Sequence, residues 1–269
     1  MTPVQPPKDE FPYWLAAAAA LGGFFLFRIL TDDLQSQILQ TLFKGVRITV
    51  FVTLVSFALA SALGLILALG SGSKYTAVRQ ITRFYVEIVR GVPIIVLLLY
   101  VAFVIVPGLV ELRNLLGGYL GLEPIRARAF PLLWRAIIAL MIAYSAFIAE
   151  VFRAGLQSVD PGQIEAASAL GLNRWQRFRL VIFPQAIRTI LPPLGNDFVA
   201  LVKDSSLVSV LGVLDVTQLG KVTAASNFRY FETYNVVALI YLSMTIGLSL
   251  ALRRLERYLN EKNRPNSRS

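Results

Sequence analysis

The sequence predicts an all-α membrane protein with about six transmembrane helices and a polar helix pair between two of them. Three observations carry this. The chain is 56% hydrophobic and only 16% charged, with a mean hydropathy of +0.63, whereas soluble domains carry about a quarter charged residues. Six segments approach the roughly 20 apolar residues that a helix needs to cross a bilayer core. Between the fourth and fifth lies "DPGQIEAASALGLNRWQRFRLVIFPQAI", residues 160–187, a polar stretch with helix caps.

The six segments fall at about 13–30, 45–70, 92–112, 132–155, 190–212 and 233–252. The first, "YWLAAAAALGGFFLFRIL", lacks a purely basic flank and an A-x-A-like cleavage site, so it is expected to be a retained helix rather than a signal peptide. The second has no charge after Arg47 and places Ser56, Ala60, Gly64 and Ala68 at four-residue spacing. Such a stripe of small residues lets helices approach closely in lipid, and packing within the chain is its expected use. The fifth, "ILPPLGNDFVALVKDSSLVSVLGV", is too polar to face lipid and is expected to face protein or a wet cavity.

The chain has neither cysteine nor histidine. This excludes disulfides, thiol chemistry, Cys/His metal sites and a histidine proton relay. The net charge of +10 is mostly topological. With both termini in the cytoplasm, sixteen Lys and Arg fall in inside segments and eight in outside ones. The inside set is Lys8; Lys74, Arg79, Arg83 and Arg90; Arg153, Arg174, Arg177, Arg179 and Arg188; and six in the tail from Arg253 to Arg268. That bias orients the chain and places 160–187 on the cytoplasmic side. A DNA-reading helix-turn-helix is set aside because spans begin within about ten residues on either side.

Within the pair, Asp160 is expected to cap a helix with Pro161 at its first position and Gln163 in the reciprocal place. Gly171 is a left-handed stop. Asn173 caps the second helix, again with a glutamine, Gln176, three residues on; this helix is expected to end before Pro184. Glu165 is expected to cap or to pair with a basic residue, or else to lie on a solvated face.

"EAASALGLNRWQRFRLVIFP" resembles the EAA motif of the permease subunits of ATP-binding-cassette importers. Glu165, Ala166, Ala167, Gly171 and Pro184 match, with Val181 and Phe183 at the usual Ile and Leu positions. Three further blocks resemble the polar amino acid permeases of that family in order: "FYVEIVRGVPIIVLLLYVAFVIVP" at 84–107, "YSAFIAEVFRAGLQSV" at 144–159, and "LPPLGNDFVALVKDSSLVSVLGV" at 191–213. Val92 and Leu97 stand where the family has Thr and Gln. The resemblance covers about residues 41–258. It implies a five-helix importer core, an N-terminal extension with an extra helix at 1–40, and a cytoplasmic basic tail at 259–269.

The resemblance further implies that the helix pair is a coupling element, with Glu165, Ala166, Ala167, Gly171, Arg174 and Pro184 docking onto an ATPase. The implied partners are two ATPase subunits holding ATP and Mg, a second permease copy or homologue, and a substrate-binding protein. No nucleotide site is expected in this chain. Its nearest phosphate-loop candidate, "GSGSKYT" at 70–76, lacks Gly before the Lys and Ser or Thr after it. It is expected to do no covalent chemistry.

Candidate substrate-pathway residues are Asn196, Asp197, Lys203, Asp204, Ser205 and Ser206 of the fifth segment, with Glu150 of the fourth. Charges within a span cost about 2.5–3.5 kcal/mol each on insertion scales, and a zwitterionic amino acid needs both an anionic and a cationic partner. Lys203 and Asp204 are adjacent and diverge on a helix, so they are not a pair. Helix-to-helix bonding is an equal alternative for this set, and a structural or gating role is expected for Glu150 and Arg153. A competing function is an ion-coupled secondary transporter using Asp204 or Glu150, but that architecture is built from internal repeats, and none is evident.

Overall fold

A computed structural model describes residues 13–261; Lys8 and the tail from 262 to 269 lie outside the described residues. Among the described residues, all regular elements are helical. Helix α1 spans Tyr13–Thr31 and α2 spans Asp33–Ser71. Asp32 between them caps α2 by accepting from the amides of Leu34 and Gln35. At about 1.5 Å per residue, the 39 residues of α2 run roughly 58 Å, well beyond an apolar core of about 30 Å. The helix therefore starts twelve residues before the predicted span, with Gln35, Ile38 and Leu42 buried along that extension. These recur at helical spacing among polar residues, a pattern that supports packing but not insertion.

Helix α3, Thr76–Gly91, follows the loop at 72–75, and α4 begins at Ile94. Ile94–Tyr100 passes through a π turn, Val101–Ile105, into α5, Val106–Tyr119. A short 3₁₀ turn at Ala127–Ala129 leads to α6, Leu132–Gln157. Then come α7, Pro161–Ala169, and α8, Arg174–Arg177. A second π turn, Phe178–Ile182, joins α8 to α9, Phe183–Asp204, and a 3₁₀ stretch continues to Leu211. Helices α10, Val216–Asn227, and α11, Tyr230–Glu261, complete the bundle.

All six predicted segments lie on these helices. Among the described residues, four helices are long and apolar enough to cross a membrane: α2, Ile94–Tyr119, α6 and Tyr230–Arg257 of α11. The apolar run of α1 is shorter, Ala19–Ile29. Helix α9 owes its lower hydropathy to Arg188, Asp197, Lys203 and Asp204.

The centre of the bundle is α6, whose Ala136, Ile137, Leu140, Ala143, Ala146 and Ile148 are fully or almost fully buried. The small-residue stripe of α2 packs on it. Ser56 donates to the Ile137 carbonyl at 3.4 Å, and a Cβ on Gly64 would stand 2.9 Å from Ile148. Both contacts advance in the same direction, so α2 and α6 run parallel, and the stripe serves packing within the chain as expected.

A second core joins the start of α2 to α10 and α11 through Leu42, Val216 and Val236. Buried Asp215 caps α10 by accepting from the Thr217 and Gln218 amides, and it accepts from Tyr241 at 3.0 Å. Burial raises the Asp215 carboxyl above its ordinary range, against the lowering effect of these donors.

Both π turns end two residues before a proline, Pro107 or Pro184. A proline inside a helix lacks its amide donor and presses its ring on the preceding turn; one wide turn just ahead of it relieves that crowding. The second helix of the pair therefore does not end before Pro184 as the sequence suggested. It runs on through the π turn into α9, which also accommodates Pro192 and Pro193.

Candidate functional site

The pair α7–α8 forms one end of the bundle, the end that also carries the 72–75 loop. Asp160 caps α7 through the Gly162 amide at 2.7 Å. The reciprocal bond from Gln163 does not form; its side chain instead accepts from Gln185 of α9 at 2.6 Å and so ties α7 to the bundle. At the other end of α7, Gly171 sits at φ 77°. The Gly171 amide donates to Ser168 and the Leu172 amide to Ala167, which closes the helix as a Schellman turn. Asn173 and Gln176 form the full capping box expected of α8, with both bonds at 2.9 Å.

Arg177 donates to the Ser168 hydroxyl and clamps the two helices together. Ala167 is buried, while Ala166, Arg174 and Glu165 are exposed and Pro184 is half-buried. Glu165 makes no hydrogen bond or ion pair, so the expected capping or pairing role is replaced by the solvated face. Leu170 and Trp175 flank the glycine turn at 81% and 66% exposure. Two large apolar side chains are thus held outward by a rigid, doubly capped turn.

The candidate pathway residues separate into three places. Asp204 accepts a 2.7 Å hydrogen bond from the Tyr144 hydroxyl of α6. Asp197 lies two turns away on the same side of α9, with one buried carboxylate oxygen unpartnered. Lys203 is exposed on another face, in a cavity of about 270 Å³ with Thr245, Ser249 and Arg253 of α11. Asn196 is exposed, Ser205 is buried and donates back to the Val202 carbonyl, and Ser206 is half-buried. Glu150 occupies the third place, apart from both. It holds Arg153 through Nε at 3.2 and 3.3 Å, in a cleft near the helix pair.

Residues 60–265 match the family described as the binding-protein-dependent transport system inner membrane component. The chain belongs to that family. The permease is 38% identical over 221 residues to the probable amino-acid permease protein YxeN of Bacillus subtilis (strain 168), covering 82% of this chain and 92% of that protein. It is 34% identical to the glutamine transport system permease protein GlnP of Escherichia coli (strain K12), covering 80% and 91%. A crystal structure of an amino acid ABC transporter with histidines superposes with a TM-score of 0.71 at 34% identity, covering 84% of this permease and 98% of that chain. A methionine ABC transporter structure, MetNI, shares the fold at a TM-score of 0.63 and 21% identity, covering 82% and 96%.

Family membership removes the secondary-transporter reading. Sequence reasoning missed Tyr144, because a tyrosine in an apolar helix reads as core until its hydroxyl finds Asp204. It also left α3 unassigned as a helix. Its signal was present in Thr82, Val86 and Val89, buried residues spaced three and four apart.

Proposed function

We propose that this permease carries polar or charged amino acids delivered by a binding protein, driven by ATP hydrolysis in separate subunits. The observation that supports it most is the rigid α7–α8 turn with Leu170 and Trp175 held outward. Two ATPase subunits, holding ATP and Mg, would take this turn and its counterpart on a second permease chain, identical or homologous. Closing the ATPase dimer then draws the two turns together. Because α8 continues through the π turn into α9, that movement passes directly to the helix that carries Asp197 and Asp204.

In this reading, the helix pair and both termini lie on the cytoplasmic side of a bacterial inner membrane, as the distribution of Lys and Arg favours. The binding protein docks at the opposite end. The carboxylates of α9 supply an anionic partner for a substrate ammonium; Lys203 lies on another face, beside α11. The domain reading follows: an extension at 1–40, the transport core at 41–258, and a basic tail.

Reconstitution with the ATPase and the binding protein in proteoliposomes tests this. Uptake of a labelled amino acid is expected to stop on ATP depletion and to survive collapse of ion gradients. Uptake that follows the ion gradient, or an absence of amino acid uptake altogether, overturns it.

A further inference from the structure

The largest cavity among those described lies apart from the α9 carboxylates. It is a cleft of about 360 Å³ between the end of α2, the polar face of α3 and the last turns of α6. Leu67 and Ala149 contribute to its apolar floor, and four charged side chains line it: Arg83 and Glu87 from α3, Glu150 and Arg153 from α6. Two are positive and two negative. Glu150 and Arg153 neutralise each other, and Arg153 is further held by Gln157 at 2.9 Å.

Arg83 and Glu87 remain. They stand one turn apart, a spacing at which opposite charges readily pair, yet neither makes an ion pair or hydrogen bond. The cleft thus offers one free guanidinium and one free carboxylate above an apolar floor. A lone anion would meet two carboxylates there and a lone cation two arginines. A small molecule with an ammonium and a carboxylate on one carbon satisfies both free groups at once, and its side chain has the floor to lie on.

We propose that this cleft is a binding site for a free zwitterionic amino acid at the helix-pair end of the permease. This rests on the amino acid reading given above. The site is well placed to report the solute on that side. Three residues after Gln157, α6 gives way to Asp160, the cap of α7. An occupant bridging Arg83 and Glu87 to the Glu150–Arg153 pair joins α3 to α6 at the root of the coupling turn.

A phosphatidylethanolamine headgroup carries the same pair of charges, so the test separates the two sources. The permease–ATPase complex, without binding protein, is placed in phosphatidylglycerol nanodiscs and dialysed against labelled L-glutamine, L-glutamate and L-arginine in turn. At least one is expected to bind. Its N-acetyl and methyl ester derivatives, each lacking one charge, are expected to bind at least tenfold more weakly. R83Q and E87Q are each expected to weaken binding at least tenfold, with the complex intact by size exclusion.

Binding unchanged in both variants places the ligand elsewhere and overturns the proposal. So does displacement of the amino acid by phosphatidylethanolamine in the disc, which makes the occupant a lipid. If a variant fails to assemble, Asp204→Asn decides instead: amino acid binding that survives it does not depend on the α9 carboxylate, and binding lost with it overturns the proposal. No binding of any of the three, with ATP-driven uptake intact, overturns the cleft and leaves the transport reading standing.

Discussion

Tyr144 of α6 donates a 2.7 Å hydrogen bond to Asp204 at the end of α9, joining the most buried helix of the bundle to the one that continues from the α7–α8 pair. The tyrosine is 3% exposed, so water does not replace its hydroxyl if it is lost. A hydrogen bond to a charged group contributes about 1.5–3 kcal/mol net. Tyr144→Phe is expected to lower stability by about that much in a thermal unfolding series, with the ring still filling its place. Asp204→Asn keeps an acceptor for the hydroxyl and is expected to be milder in the same assay. If the carboxylate charge is used by the substrate, that variant loses amino acid uptake although its stability is nearly retained. Equal loss of both properties would make Asp204 a purely structural partner.

Gly171 is the second test. At φ 77° a side chain is strained by about 1–2 kcal/mol, but an added Cβ meets nothing within 4 Å in this chain. Gly171→Asp is therefore expected to leave the permease folded and in the membrane, while blocking close approach of a partner at the Leu170–Trp175 tip. Uptake falls and basal ATPase activity no longer responds to the loaded binding protein. Gly171→Asn, better suited to the left-handed region, separates backbone strain from charge. Normal coupled uptake by the Asp variant would sink the docking role.

Much of this was legible in the residues. Caps, a left-handed glycine and a small-residue stripe act through neighbours close in sequence or through a single repeating face, so Asp160, Gly171, Asn173 and Gly64 could be placed in advance. What could not be read depended on distant chain segments. Gln163 left its capping box because Gln185, 22 residues on, offered a donor. Pro184 did not end its helix because a π turn ahead of it made room. The pathway candidates form one set in the sequence, yet Glu150 lines a cleft with Arg153 while Asp204 is bonded to Tyr144. Only packing decides which face of α6 and α9 turns inward.

Gly45 gives a packing prediction with a sharp contrast. An added Cβ would stand 2.6 Å from the Val216 amide nitrogen and 2.7 Å from the Asp215 carbonyl carbon. Both neighbours are backbone, and Asp215 is fixed by its cap bonds, so neither can yield. Overpacking of this kind costs about 1–3 kcal/mol. Gly45→Ala is expected to lower the unfolding temperature clearly, whereas Gly247→Ala, with nothing within 4 Å, is expected to change it little or raise it slightly. Similar behaviour of the two variants would mean that α2 and α10 can separate without loss.

Arg135 supplies the last prediction, and it follows from a missing amide. The guanidinium is 5% exposed and meets no carboxylate; it donates to the carbonyls of Phe130, Ala127 and, at 2.8 Å, Ala102. Ala102 lies in the first π turn, where Val106 donates back five residues to Val101. The next donor in that ladder belongs to residue 107, which would serve Ala102, but residue 107 is proline and has no N–H. Arg135 fills the vacancy from another helix. Arg135→Met keeps the apolar volume but orphans a buried carbonyl, at a cost of about 1–3 kcal/mol. Pro107→Ala restores the amide, so the double variant is expected to recover about 1 kcal/mol relative to Arg135→Met alone. A double-mutant cycle by thermal or denaturant unfolding measures this directly. Strict additivity of the two substitutions would show that the arginine and the proline are independent, and that the π turn owes its shape to something other than this exchange of donors.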